Sequence, residues 1–157
     1  MRILIPKCLG LVIFLITLLY FISFFYQPDS AEKVLTERKI ETTVISIGGV
    51  IINAVISDTA EERGHGLSGR KTLLPNEGML FVFEKPDRHG FWMKDMNFGI
   101  DIVWIDENKK IIYMEENILP ESFPIIFQPI LPALYVLEVP SGFVFTNKIK
   151  IGDSVIF

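Results

Sequence analysis

The chain has 157 residues, half of them hydrophobic and thirteen of them Phe, with 15 Lys and Arg against 19 Asp and Glu. That length suits one domain of ordinary size plus a short appendage. Arg2 and Lys7 are the only charged side chains before Asp29; without them thirteen basic face nineteen acidic side chains, so residues 27–157 carry a net charge of −6. An acidic remainder without a basic run excludes the electrostatic footprint that nucleic acid or anionic lipid requires.

Residues 1–7 hold both early cations, and residues 8–26, CLGLVIFLITLLYFISFFY, follow without a charge. A helix of that length nearly crosses a hydrocarbon core of about 30 Å. Cations before it and Asp29 and Glu32 after it place the N-terminus in the cytoplasm and the remainder outside, by the positive-inside rule. The expected location is therefore the cell membrane, with a single pass and an extracytoplasmic domain. A cleaved signal peptide has a shorter apolar run and a small-x-small site; Ser23-Phe24-Phe25-Tyr26 offers none, so the segment reads as an uncleaved anchor. Cys8, the single cysteine, lies at its start, so the outer part has neither a disulfide nor a Cys-ligated metal.

Residues 27–41 are polar and read as a tether, leaving 42–157 as the domain. Residues 43–47 and 50–56 are β-branched runs joined by Gly48-Gly49, the signature of a tight hairpin. Asp58-Thr59-Ala60-Glu61 predicts a helix start capped by Asp58, limited to about two turns by Gly64 and Gly66. Short apolar runs at 79–83, 90–94, 100–105, 111–115 and 135–139 predict strands. Residues 106–110 form a polar turn, the four prolines of 119–132 preclude a ladder, 143–147 form one helical turn, and 153–157 form a last strand. The spacing predicts a mainly β fold, an antiparallel jelly-roll or barrel-like sandwich with one or two short helices behind a single N-terminal transmembrane helix.

Several segments carry a family resemblance: Glu62-Arg63 with Gly66-Leu67, LPNEGMLFVF over 74–83, FWMKDM over 91–96, IDIVWID over 100–106, YVLEVP over 135–140 and KIGD over 150–153. In that order and spacing, residues 55–155 resemble the bacterial and archaeal family known as domain of unknown function 192. The resemblance implies a jelly-roll or barrel-type β domain, often behind a signal or anchor, and implies no reaction. The chain departs from the pattern at Ser68-Gly69, where an apolar or aromatic pair is usual, and at Gly99, where Pro is common.

Two arrangements are open for FWMK. Alternation puts Phe91 and Met93 on one side, Trp92 and Lys94 on the other. If 95–99 turns back as a hairpin, Lys94 meets Asp101 beside Trp92 and Trp104, with Arg63 as a further cation, and this makes an aromatic-walled site for a saccharide or small polar ligand. The plainer arrangement buries both tryptophans in the core, with the Lys94 stem spread over them and its charge in water.

Asp101 and Glu138 sit in apolar strands, where each needs a partner such as Arg63, Lys94 or a backbone amide. As a pair across a cleft they would be the acid and base of a glycosidase-like reaction. His65 and His89 lack a second His at ligand spacing, so neither a metal nor another cofactor is expected. Ser68 and Ser122 lack a nucleophile-elbow context. The apolar side chains of 119–132 either cap one end of the barrel or form a patch for a partner or the bilayer surface.

The leading expectation is a binding or accessory module of the cell envelope, anchored in the bilayer through 8–26, using Trp92, Lys94, Asp101, Trp104 and Arg63, and engaging a small polar ligand or an envelope protein but not nucleic acid. The alternative is an envelope enzyme acting on a saccharide or related polymer through Asp101 and Glu138.

Overall fold

The computed structural model describes residues 16–22 and 40–157. The chain divides into two units, Met1–Lys39 and Ile40–Phe157. Of the first, residues 16–22 are helical with exposed side chains. The anchor expected over 8–26 and the tether over 27–41 lie largely outside the described residues, and among those described no helix is long and apolar enough to cross a membrane.

The second unit is mainly β, one seven-stranded sheet curled as a half-barrel, with only short helices. Its strands are β1 (Thr42–Ile47), β2 (Val50–Ser57), β3 (Glu77–Asp87), β4 (Ile100–Ile105), β5 (Ile111–Ile118), β6 (Ala133–Pro140) and β7 (Val155–Ile156). Two helices, α1 (Ala60–His65) and α2 (Phe143–Asn147), and a 3-10 turn at Pro120–Ser122 complete it. Across the sheet the order is β5-β4-β6-β3-β2-β1-β7.

Gly48 and Gly49, at φ 57° and 81°, supply the two left-handed residues that join β1 to β2, and Ile47 pairs with Val50. Every other adjacent pair is antiparallel except β2 with β3, which runs parallel from Asn53↔Glu77 to Ser57↔Phe81. This corrects the wholly antiparallel expectation. Residues 58–76, which include α1, provide the crossover that a parallel pair needs and a hairpin cannot give.

Thr59, not Asp58, caps α1: its hydroxyl accepts from Glu62 N–H at 3.3 Å, and the Glu62 carboxylate accepts from Thr59 N–H at 3.2 Å. Residues 90–94 are not a strand. Phe91 alone bridges, to Phe127, and beside it Gly90 passes so close to Ile126 that a Cβ there would stand 2.7 Å from its Cγ2. Of the two arrangements open for this segment, the hairpin over 95–99 does not form; Met96 N–H instead turns back to the Met93 carbonyl at 3.4 Å. The polar turn after β4 forms as the sequence indicates, with Asp106 Oδ1 accepting from Lys110 N–H at 2.8 Å.

At one end the two edges of the sheet meet. Ile111 N–H donates to Asp153 O at 3.0 Å, Gly152 N–H to Ile111 O at 2.8 Å and Val155 N–H to Lys109 O at 2.9 Å. Strand alternation gives the curled sheet two faces. The enclosed face draws buried side chains from all seven strands, among them Ile45, Ile52, Leu80, Val103, Ile111, Leu137 and Val155, and α2 plugs it with Phe143 and Val144. The outer face carries Met79, Phe81, Ile100, Ile102, Trp104 and Val136, and segments from the β3–β4 and β5–β6 connections cover it.

Candidate functional site

Registers across the outer face put side chains in transverse rows. One row runs Val55, Met79, Glu138, Ile102, Glu115; the next runs Ser57, Phe81, Val136, Trp104, Tyr113. Glu138 is thus the one ionisable group between two buried apolar neighbours, and only 5 % of it is exposed. Among the described residues its Oε2 has no hydrogen-bond partner, and the Ser57 hydroxyl in the adjoining row also lacks one. Burial pushes the Glu138 carboxyl up to about 8 through the loss of water around the charged form.

Above Glu138 lies a cavity of about 280 Å3. Its walls come from α1 and the turn after it (Arg63, His65, Leu67), from β3 (Phe81, Phe83) and from the loop before β4 (His89, Phe91, Trp92, Met96). Backbone-directed bonds hold these walls. Arg63 spreads over the Phe83 ring at 5.1 Å and donates to the carbonyls of Val82, at 2.9 Å, and Asp58, so it pins α1 to β3. His89 stacks on Phe83, ring centroids 3.4 Å apart, with Nε2 3.2 Å from the Lys85 carbonyl. Burial lowers the His89 pKa, against the opposing pull of that carbonyl and of Asp87, which favours the neutral ring. Phe91 packs edge-on to Phe81, Phe83 and Trp104.

The residues singled out from sequence fall into two groups. Arg63, Trp92 and Glu138 line one cavity. Trp104 lies beneath it in the core, fully buried, its indole N–H donating to the His89 carbonyl at 2.9 Å. Lys94 is exposed, and Asp101 is not in the site. Asp101 pairs with Val139 while Glu138 pairs with Ile102, so the two carboxylates project from opposite faces of the sheet and share no cleft. Asp101 is enclosed, and its carboxylate accepts from the backbone N–H of Asn117 (2.8 Å), Gly142 (3.1 Å) and Val144 (2.9 Å). It holds the start of α2 against the sheet. Neither the Lys94–Asp101 pair nor the Asp101–Glu138 acid and base therefore has a geometry here.

Sequence reasoning missed the part played by Phe81, Phe83, His65 and His89 in the walls. Alternation along β3 could have put Phe81 and Phe83 on one face, but nothing local indicates that α1 and the 89–92 segment converge on it. Of the apolar side chains of 119–132, Phe127 packs against the outer-face core, whereas Leu119, Phe123, Ile125, Ile126, Ile130 and Leu131 are exposed, and Phe123 meets Trp92 edge-on at 6.3 Å. A second hollow of about 420 Å3, beside α2, is lined by Ile51, Asn76, Ser141 and Asn147 and holds no ionisable side chain.

The chain thus has a curled, mainly β domain with a cavity on its outer face over one unpartnered carboxyl. Residues 43–157 match the model of the DUF192 family, described as Uncharacterized ACR, and the chain belongs to that family. No curated protein matches it by sequence. Among solved structures it is similar to a proposed transcription regulator from Sinorhizobium meliloti 1021, with 26 % identity and a TM-score of 0.70, over 76 % of this chain and 96 % of that one. It is also similar to a protein of unknown function from Novosphingobium aromaticivorans DSM 12444, with 25 % identity and a TM-score of 0.71, over 75 % and 86 % of the two chains.

Proposed function

We propose that this chain is an extracytoplasmic binding or accessory module of the cell envelope: a jelly-roll or barrel-type domain held at the membrane by a helix over residues 8–26, with its ligand seated in the cavity above Glu138. The observation that carries the reading is the unpartnered Glu138 carboxyl under an open, aromatic-lined cavity. A buried polar atom without a partner costs about 1–3 kcal/mol, so a fold that elsewhere satisfies a buried carboxylate with three amides keeps this one open at a cost. A bound molecule recovers that cost.

The uncharged 8–26 run between basic and acidic flanks supports the envelope location. The description of the Sinorhizobium relative raises nucleic acid as a partner, but the net charge of −6 beyond residue 26, left by thirteen basic and nineteen acidic side chains, argues against it. The saccharide-cleaving alternative needed two carboxylates in one cleft, and the cavity holds one.

The test is thermal stability of the full chain in an uncharged detergent, scanned against envelope saccharides, small cations and small anions. A ligand at 100 times its dissociation constant adds about 2.7 kcal/mol. A shift that Glu138→Gln and Trp92→Ala both diminish supports the reading. A flat panel, or shifts indifferent to both variants, overturns it.

A further inference from the structure

We infer that the cavity over Glu138 is a cation site, taking the ammonium or guanidinium head of a small ligand or side chain, with the Glu138 carboxylate as counter-ion and the aromatic walls as its surround. The inference rests on the binding reading above and names the chemistry of the ligand.

Three observations converge on it. The Glu138 Oε2 is buried and accepts from nothing, so a ligand that supplies N–H donors completes the site. The walls are rich in aromatic rings, Phe81, Phe83, Phe91 and Trp92, a surround that stabilises cations and gives anions nothing. Two of the three basic groups of the lining are held by the protein: Arg63 donates through Nη1 to two carbonyls and covers Phe83, and His89 is stacked on Phe83 with its pKa lowered, while His65 is exposed. An anionic ligand would face the Glu138 carboxyl, whereas a cationic one supplies the donors that the buried Oε2 lacks.

The groups that bear on Glu138 as pH changes are few. Arg63 and His65 on α1 and His89 in the loop before β4 share its cavity. Tyr113 and Glu115, on the same face of β5 and hydrogen-bonded to one another, stand beyond Ile102 and Trp104. Because the free carboxyl holds its proton up to about pH 8, binding a cation expels that proton. An alkyl ammonium keeps its own charge to about pH 10, so affinity should rise roughly tenfold per pH unit below about 8 and level off above it.

The experiment is calorimetric titration of the full chain in an uncharged detergent with n-butylammonium, and with 1-butanol and butyrate as neutral and anionic counterparts of like shape. The expected result is binding of the ammonium alone, a rise in affinity between pH 6 and 8, release at pH 7 of nearly one proton measured across buffers of different ionisation enthalpy, and loss of at least tenfold in Glu138→Gln. That variant keeps the shape of the side chain and, like the protonated carboxyl, is uncharged, so its fold is secure. Agmatine and a blocked tripeptide with a central Lys then tell a free small molecule from a protein side chain as the source of the head group; tighter binding of either supports the cation class. Equal binding of 1-butanol, an affinity that falls as pH rises, or an unchanged affinity in Glu138→Gln overturns the cation inference. A saccharide that binds through Trp92 while every amine fails sinks this inference and leaves the binding module standing; silence from all probes sinks both.

Discussion

Two carboxylates on neighbouring strands, Asp101 on β4 and Glu138 on β6, meet opposite treatment on the two faces of one sheet. On the enclosed face Asp101 is surrounded by the amides of Asn117, Gly142 and Val144. On the outer face Glu138 is flanked by Met79 and Ile102 and left open to a cavity. Burial is nearly the same for both, so burial alone does not tell a structural carboxylate from a functional one. What separates them is whether the protein itself supplies the donors.

The sharpest way to break this contrast is Asp101→Ala. It strips three amides, one buried and two partly buried, of their acceptor and should cost about 3–5 kcal/mol, read as a large loss of unfolding midpoint in urea; a loss of the size seen at surface positions would show that α2 does not depend on it. Glu138→Gln should act in the other direction. With a folded-state pKa raised to about 8, the wild-type carboxyl contributes fully below about pH 4.5, and stability then falls as pH rises to about 8. The Gln variant lacks that decline, so it should overtake the wild type across this window, by several kcal/mol at roughly 1.4 per pH unit. Parallel pH profiles for the two proteins would mean that Glu138 ionises freely.

Smaller effects sharpen the same picture. Gly78 sits in β3 where a Cβ would stand 2.9 Å from the Glu138 carbonyl, so Gly78→Ala should cost about 1–3 kcal/mol and weaken ligand binding together with stability, by moving β6 under the cavity. Trp92, 51 % exposed at the rim, belongs to the site rather than the core; Trp92→Ala should change stability by less than about 1 kcal/mol while reducing affinity. A large stability loss there would assign it to the core, the role that Trp104 fills.

Much of the local structure was legible because it is written in short-range chemistry. Gly48-Gly49 between β-branched runs specifies a hairpin, and the alternation of buried and half-exposed side chains at Phe91, Trp92 and Met93 follows the sequence although no ladder forms there. The family membership was legible for the same reason, in short motifs of fixed order. Relations between distant strands were not. Whether Asp101 and Glu138 share a face turns on the register Ile102↔Glu138, and a shift of one residue reverses the answer. The parallel crossover from β2 to β3 is equally silent in sequence, and it is this crossover that brings α1 and Arg63 to the cavity.

The meeting of the sheet edges at residues 109–111 and 152–155 has a consequence for how the domain is made. Strand β1 pairs with β7 through Ser46↔Ile156, a contact between partners more than a hundred residues apart, and the parallel pair adds a further non-local join. Closing such long loops precedes any reward from the contacts they enable, so folding belongs to the slow, millisecond-to-second class of β topologies. Until residues 143–156 are at hand, the enclosed face lacks both the Phe143 and Val144 side chains of α2 and Val155 of β7.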